Sequence, residues 1–135
     1  MTELLFPCPC CGYLTSSAPG SYDICPICDW EDDLSQLRFP ETGGGANRVS
    51  LLEAQANFES IRAKAAEHVE HVRPIAPSDA RDPLWRRLDP TTEDVERPMP
   101  GVDYGLTYPT DRTELYYWRP NYWRRPGSMT RSPDA

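Results

Sequence analysis

Two cysteine pairs constrain this chain more than any other feature. Cys8-Pro9-Cys10-Cys11-Gly12 and Cys25-Pro26-Ile27-Cys28-Asp29 each set two cysteines three positions apart, with a proline after the first. All 5 cysteines of the chain lie within residues 8–28. A Cys-x-x-Cys bend brings two thiolates to one side of a tight turn, and two such bends facing each other supply four sulfurs tetrahedrally. Pro9 and Pro26 fix φ at the same place in each bend and remove a donor there. Gly12 and Asp29 follow the two bends, where a positive φ is expected and would let backbone N–H groups point at the sulfurs. Such donors are useful because four thiolates around a divalent ion leave a net charge of about −2. The alternative to a metal site is a disulfide framework.

One cysteine is left over. Cys8, Cys11, Cys25 and Cys28 match in spacing and proline placement and are the expected ligands. Cys10 takes the variable position of the first bend and is expected to be a free thiol beside the site. A Cys8 plus Cys10 chelate would break the symmetry between the bends.

Composition explains why a metal would matter. The chain has 135 residues, 39% of them hydrophobic, and 15 prolines where ordinary usage gives about 7. Its mean hydropathy is −0.65. So little apolar surface makes a small core, to which loop closure by a metal adds folding free energy. The first residues have no basic start and no long apolar run, and no stretch reaches the length of a membrane span. Paired cysteines without a secretion signal point to metal and to a cytoplasmic location. The net charge of −7 argues against binding nucleic acid through its backbone and suits a basic partner, or simply solubility.

Along the chain, Leu4, Leu5 and Phe6 are expected to lead into the first knuckle as a strand. Gly12 to Thr15 leads out, and Tyr22 to Ile24 runs into the second knuckle, with Trp30 covering the site. Asp29, Glu31, Asp32 and Asp33 form the densest acidic group, a candidate partner surface, and Asp33 can also cap a helical turn over 33–37. Residues 38–47 read as a loop, and Gly43 to Gly45 lack the continuation a phosphate cradle needs. Ser50-Leu51-Leu52-Glu53 is a capping box. Leu51, Ala54, Phe58, Ile61, Ala65, Val69 and Val72 then recur at helical spacing, which predicts one amphipathic helix ending before Pro74. Its apolar stripe should lie on the knuckles. His68 and His71 are one turn apart near its end, either complementing the helix dipole or offering metal ligands.

From Pro74 on, periodicity fails. Asp82-Pro83 suggests a capped single helical turn. Leu115 to Trp118 and Tyr122 to Arg125 are strand candidates. The aromatics are too many for disorder. Tyr116, Tyr117, Trp118, Tyr122 and Trp123 pack on the knuckle unit or supply a partner surface, since aromatic residues and Arg dominate interfaces. A third reading, from their interleaving with Arg119, Arg124 and Arg125, is stacking on single-stranded nucleic acid, which the overall acidity disfavours. The expected fold is a small metal-stabilised α+β unit, a zinc-ribbon or rubredoxin-like knuckle pair packed on one amphipathic helix. Residues 1–40 form the knuckle unit, 41–73 the Gly-rich loop and helix of the same domain, and 74–135 an irregular Pro- and aromatic-rich extension.

Cys8 to Tyr13, Cys25 to Asp33, Gly44 to Asn47, Ser50-Leu51 and Asn57-Phe58 together resemble the bacterial CPCC family of cysteine-rich proteins, over about residues 5–72. The resemblance implies no particular reaction. It implies kinship with small acidic proteins encoded beside polymorphic toxins, and so cognate toxin inhibition, or immunity. The knuckles with Gly12-Tyr13 also look like the rubredoxin module of rubrerythrin-type proteins, where iron sits. Zinc is the expected cofactor and iron the alternative. No catalytic constellation is visible, and a Cys₄ site is closed to substrate. The expected function is a non-enzymatic, zinc-stabilised protein-binding module, most readily an immunity protein that blocks a toxin domain with a basic cleft. The alternatives are a rubredoxin-like iron electron carrier and a zinc ribbon of a nucleic-acid-associated complex.

Overall fold

A computed structural model describes residues 4–105 and 107–124. Its regular structure is sparse. Strand β1 (Phe6–Pro7) pairs antiparallel with β2 (Leu14–Ser16), Phe6 opposite Ser16 and Pro7 opposite Leu14. The register breaks between Phe6 and Pro7, where proline has no N–H to give to the ladder. The strand expected over Leu4 to Phe6 therefore starts at Phe6. Tyr22 to Ile24 forms no strand, and Ile24 meets Glu31 only through an isolated bridge.

Helix α1 (Leu34–Arg38) starts as expected, with the Asp33 side chain accepting from the Ser35 and Gln36 N–H groups. Helix α2 (Leu51–Ile61) opens on the complete capping box: the Ser50 hydroxyl accepts from Glu53 N–H, and the Glu53 carboxylate accepts from Ser50 N–H. Leu51, Ala54 and Phe58 share one core cluster with all five cysteines and Trp30. The stripe thus lies on the knuckles, but the helix is shorter than its periodicity predicts. Arg62 adopts φ 63°, its N–H bonds Phe58 O, and the chain turns. A 3₁₀ segment (Ala66–His71) follows. Ile61 and Val69 are exposed rather than part of a continuing stripe. Tertiary bonds force the break: Lys64 N–H donates to Cys28 O at 2.8 Å, and Asn57 Nδ2 donates to Lys64 O at 2.9 Å. An uninterrupted helix would need those same groups.

The C-terminal stretch joins the same core. Leu88, Val95, Leu115, Tyr116, Tyr117, Trp118 and Tyr122 belong to the cluster that holds the cysteines. The strands expected over 115–118 and from Tyr122 are absent among the described residues, and Arg125 lies outside them. A 3₁₀ turn (Arg112–Leu115) is followed by bonds from Tyr116 N–H to Thr113 O, Arg119 N–H to Tyr116 O and Tyr122 N–H to Arg119 O. These successive tight turns give each backbone donor a local partner, and the aromatic rings fill the core instead of flanking a sheet. The helical turn expected at Asp82-Pro83 is a β-turn, closed by Trp85 N–H to Asp82 O and by Leu84 N–H to the Asp82 carboxylate. No helix among the described residues is long and apolar enough to cross a membrane.

Phe58 is 2% exposed and sits at the contact between α2 and the knuckles. Phe58→Ala is expected to destabilise by about 3–5 kcal/mol, and Ser50→Ala by roughly 1 kcal/mol. Denaturant midpoints check both. A Phe58 variant as stable as a surface variant would remove α2 from the core.

Candidate metal centre

The two knuckles repeat one hydrogen-bond pattern. In the first, Gly12 N–H donates to Cys8 O at 2.6 Å and Cys8 N–H to Tyr13 O at 2.8 Å. In the second, Asp29 N–H donates to Cys25 O at 2.8 Å and Cys25 N–H to Trp30 O at 2.9 Å. Gly12 (φ 82°) and Asp29 (φ 71°) both take the expected left-handed conformation. Their own N–H groups, however, close the knuckle onto a carbonyl instead of donating to sulfur. Gly12 has a second reason to be glycine, because a Cβ there would meet the Trp85 ring at 2.6 Å.

The bends bring the sulfurs of Cys8, Cys11, Cys25 and Cys28 within 4.8 Å of one another. Cys8 Sγ lies 3.5 Å from Cys28 Sγ, and Cys11 Sγ 3.8 Å from Cys25 Sγ. These are not disulfides, and every cysteine is a free thiol. Sulfurs at about 2.3 Å from a tetrahedral ion stand about 3.8 Å apart, so the spacing fits one. The four are at most 3% exposed. Burial pushes the Cys8 and Cys28 thiols up, whereas hydrogen bonds from Cys11, then Cys28 and Cys8, hold Cys25 well below the usual thiol range. A divalent ion can replace thiol protons and balance the buried sulfur charge, and with the tetrahedral spacing this is why the donor set fits a metal. Cys10 is fully buried outside the set, and burial raises its thiol too.

Each knuckle is clasped by a different later segment. Pro9 O, in the first, accepts from Gln55 Nε2 at 2.9 Å and Trp85 Nε1 at 3.0 Å, while Cys11 O accepts from Arg81 Nε at 2.8 Å. Backbone bonds from Leu14 N–H to Ala80 O and from Asp82 N–H to Gly12 O run alongside. In the second knuckle, Cys28 O accepts from Lys64 N–H and Pro26 O from Arg73 N–H at 3.0 Å. Asp82 links the first clasp to the aromatic segment by accepting from Trp118 Nε1 at 2.8 Å and Arg119 Nη2 at 3.1 Å. Burial pushes its carboxyl up, but the bonds from Trp118, Leu84 and Arg119 outweigh this and hold it below the usual range.

The residues expected to meet a partner are placed differently. Tyr116, Tyr117, Trp118 and Tyr122 are at most 6% exposed, and Trp123 packs on the same core. Of the three readings of these aromatics, packing on the knuckle unit is the one the structure displays. The acidic group is not one outward surface either. Asp33 caps α1 and also accepts from Ala46 N–H at 2.9 Å. Asp32 accepts from Gly20 N–H at 2.9 Å and Ser21 N–H at 3.3 Å, and burial pushes its carboxyl up to about 6. Glu31 gives its backbone to Asn47, and Asp29 turns toward His68 and His71. The histidines sit on the 3₁₀ segment, so they do not complement the end of α2.

Sequence reasoning missed Arg38. Its guanidinium is buried, pairs with both Glu96 oxygens at 2.8 and 3.0 Å, and stacks at 4.7–5.0 Å on Phe39, Tyr104, Tyr108 and Trp123. Four of these five partners come from far along the chain, so no local motif marks it.

The family model described as cysteine-rich CPCC matches residues 6–79, more than half of the chain. No curated protein matches the chain.

Cys11→Ser and Cys28→Ser are expected to lose the metal and the folded knuckles, whereas Cys10→Ser keeps both. Elemental analysis with circular dichroism checks this, and metal retained by Cys28→Ser would contradict the ligand set. Asp32→Asn keeps an oxygen for Gly20 and Ser21 while removing a buried charge. The native carboxyl binds its proton more tightly than the unfolded one, so the charge costs stability as pH rises from about 4 to 6. The variant should therefore match the parent below about pH 4 and gain on it up to pH 6. A constant difference across that window would contradict the assignment.

Proposed function

The chain belongs to the cysteine-rich CPCC family, and on that premise we propose that it is a non-enzymatic, zinc-stabilised protein-binding module. Its proposed partner is a basic protein surface, in the first place the cleft of a toxin domain that it blocks as an immunity protein. The observation that carries the structural half of this reading is the closure of the four-sulfur centre. Sulfurs at most 3% exposed, with both knuckles clasped by later chain, leave an ion there no face for a substrate. Zinc suits such a centre because it makes no demand beyond the tetrahedron, and iron in the same sulfurs would colour the protein.

The partner half rests on charge. A net charge of −7 steers a protein toward basic clefts and speeds association at low salt. With the acidic group after the second knuckle partly turned inward, the better surface is the 3₁₀ segment. Three residues per turn place Glu67 and Glu70 on one edge, both exposed, with the 44%-exposed Val69 beside them. This edge offers charge for steering and apolar surface for contact.

Glu67→Lys with Glu70→Lys is expected to slow association with a basic toxin domain about tenfold or more at low salt, leaving metal content and fold unchanged. Stopped-flow association across a salt series, with survival of cells expressing the toxin domain, measures it. Unchanged rates and full protection would remove this edge from the interface. Iron in place of zinc in the purified protein would overturn the zinc assignment.

A further inference from the structure

We propose that Asp29, His68 and His71 form a second metal site, separate from the four sulfurs, that takes a divalent transition ion such as zinc. The three ligand atoms lie within 4.8 Å of one another. Asp29 Oδ2 is 2.7 Å from His68 Nδ1 and 3.4 Å from His71 Nδ1. Nitrogen and oxygen donors bound at about 2.1 Å stand roughly 3.0–3.4 Å apart at octahedral to tetrahedral angles, and the two distances bracket that range.

The arrangement is built by the backbone. In a 3₁₀ helix residues three apart eclipse, so Ala66–His71 stacks His68 and His71 on one edge, rings 5.5 Å apart. That segment is pinned at both sides, by Lys64 N–H to Cys28 O before it and Arg73 N–H to Pro26 O after it. The left-handed Asp29 ends the same knuckle and presents its carboxylate to the pair. Charge and hydrogen bonding alone leave the cluster incomplete. Both imidazoles converge on one carboxylate oxygen, and His68 Nδ1, though buried, makes no hydrogen bond of proper direction. An ion between them would satisfy all three atoms.

Two borderline imidazole nitrogens joined by one hard carboxylate oxygen make a donor set suited to first-row divalent ions such as zinc. The Asp29, His68 and His71 side chains are 15%, 29% and 60% exposed, so the cluster opens on its outer side. Three protein ligands leave a further position for water, unlike the closed sulfur centre.

Equilibrium dialysis of the full chain against zinc, with zinc counted per chain, tests this. The parent is expected to bind a second zinc beyond the sulfur-bound one. His71→Ala, an exposed change, is expected to weaken only that second zinc, by at least the roughly 10–100-fold that even an outer-shell partner costs. His68→Asn should do the same and serves as the check if His71→Ala perturbs folding; Glu59→Gln should change nothing. A parent that binds a single zinc, or histidine variants that bind the second as tightly as the parent, would overturn the proposal.

Discussion

Four buried sulfurs cannot all carry charge without a cation, and the rest of this structure depends on that constraint. Burial raises the Cys8 and Cys28 thiols, whereas hydrogen bonds from Cys11, Cys28 and Cys8 lower Cys25. The apolar surface available is small, and among the described residues the regular structure amounts to two short strands, two short α-helices and two 3₁₀ turns. Unlike a large core, such a unit cannot tolerate a cluster of half-satisfied thiols at its centre. A divalent ion held there would turn the cluster from a liability into a cross-link between residues 8–11 and 25–28.

The clasps extend that cross-link outward. Residues 80–88 close over the first knuckle and residues 64–73 over the second, each mostly through backbone groups of the knuckles themselves. Gln55 joins the two halves: its amide donates to Pro9 O and to the Tyr117 hydroxyl, and its carbonyl accepts from Leu88 N–H. Tyr117 in turn donates to Arg86 O. A chain segment with almost no helix or sheet is thus ordered because its polar groups are satisfied by the knuckles and by α2.

The cysteine pairs, the two positive-φ positions and both helix starts were legible in the sequence because each is a local event. Ser50 meets Glu53 three residues away, and Asp33 meets Ser35 and Gln36. The end of α2 was not legible. Arg62 supplies a left-handed cap without being glycine, and the apolar spacing of Ala65 and Val69 continues past it by coincidence of composition. What stops the helix is Lys64 bonding to Cys28, thirty-six positions back. The four-sulfur grouping could be read from spacing, but the approach of His68 and His71 to Asp29 could not, since it follows from that same break. Tyr116 to Tyr122 showed by composition that they must pack, and only the tertiary turns decide against what.

The central claim is that the metal-closed knuckles hold the C-terminal aromatic segment in place. Near-ultraviolet circular dichroism during metal removal tests it most directly, because Trp30, Tyr116, Tyr117 and Trp118 all share the cysteine core. Stripping the metal with a chelator should abolish the aromatic signal, and restoring zinc should return it. A stripped protein that keeps its full aromatic signal would show that the core stands without the metal, and would contradict the account.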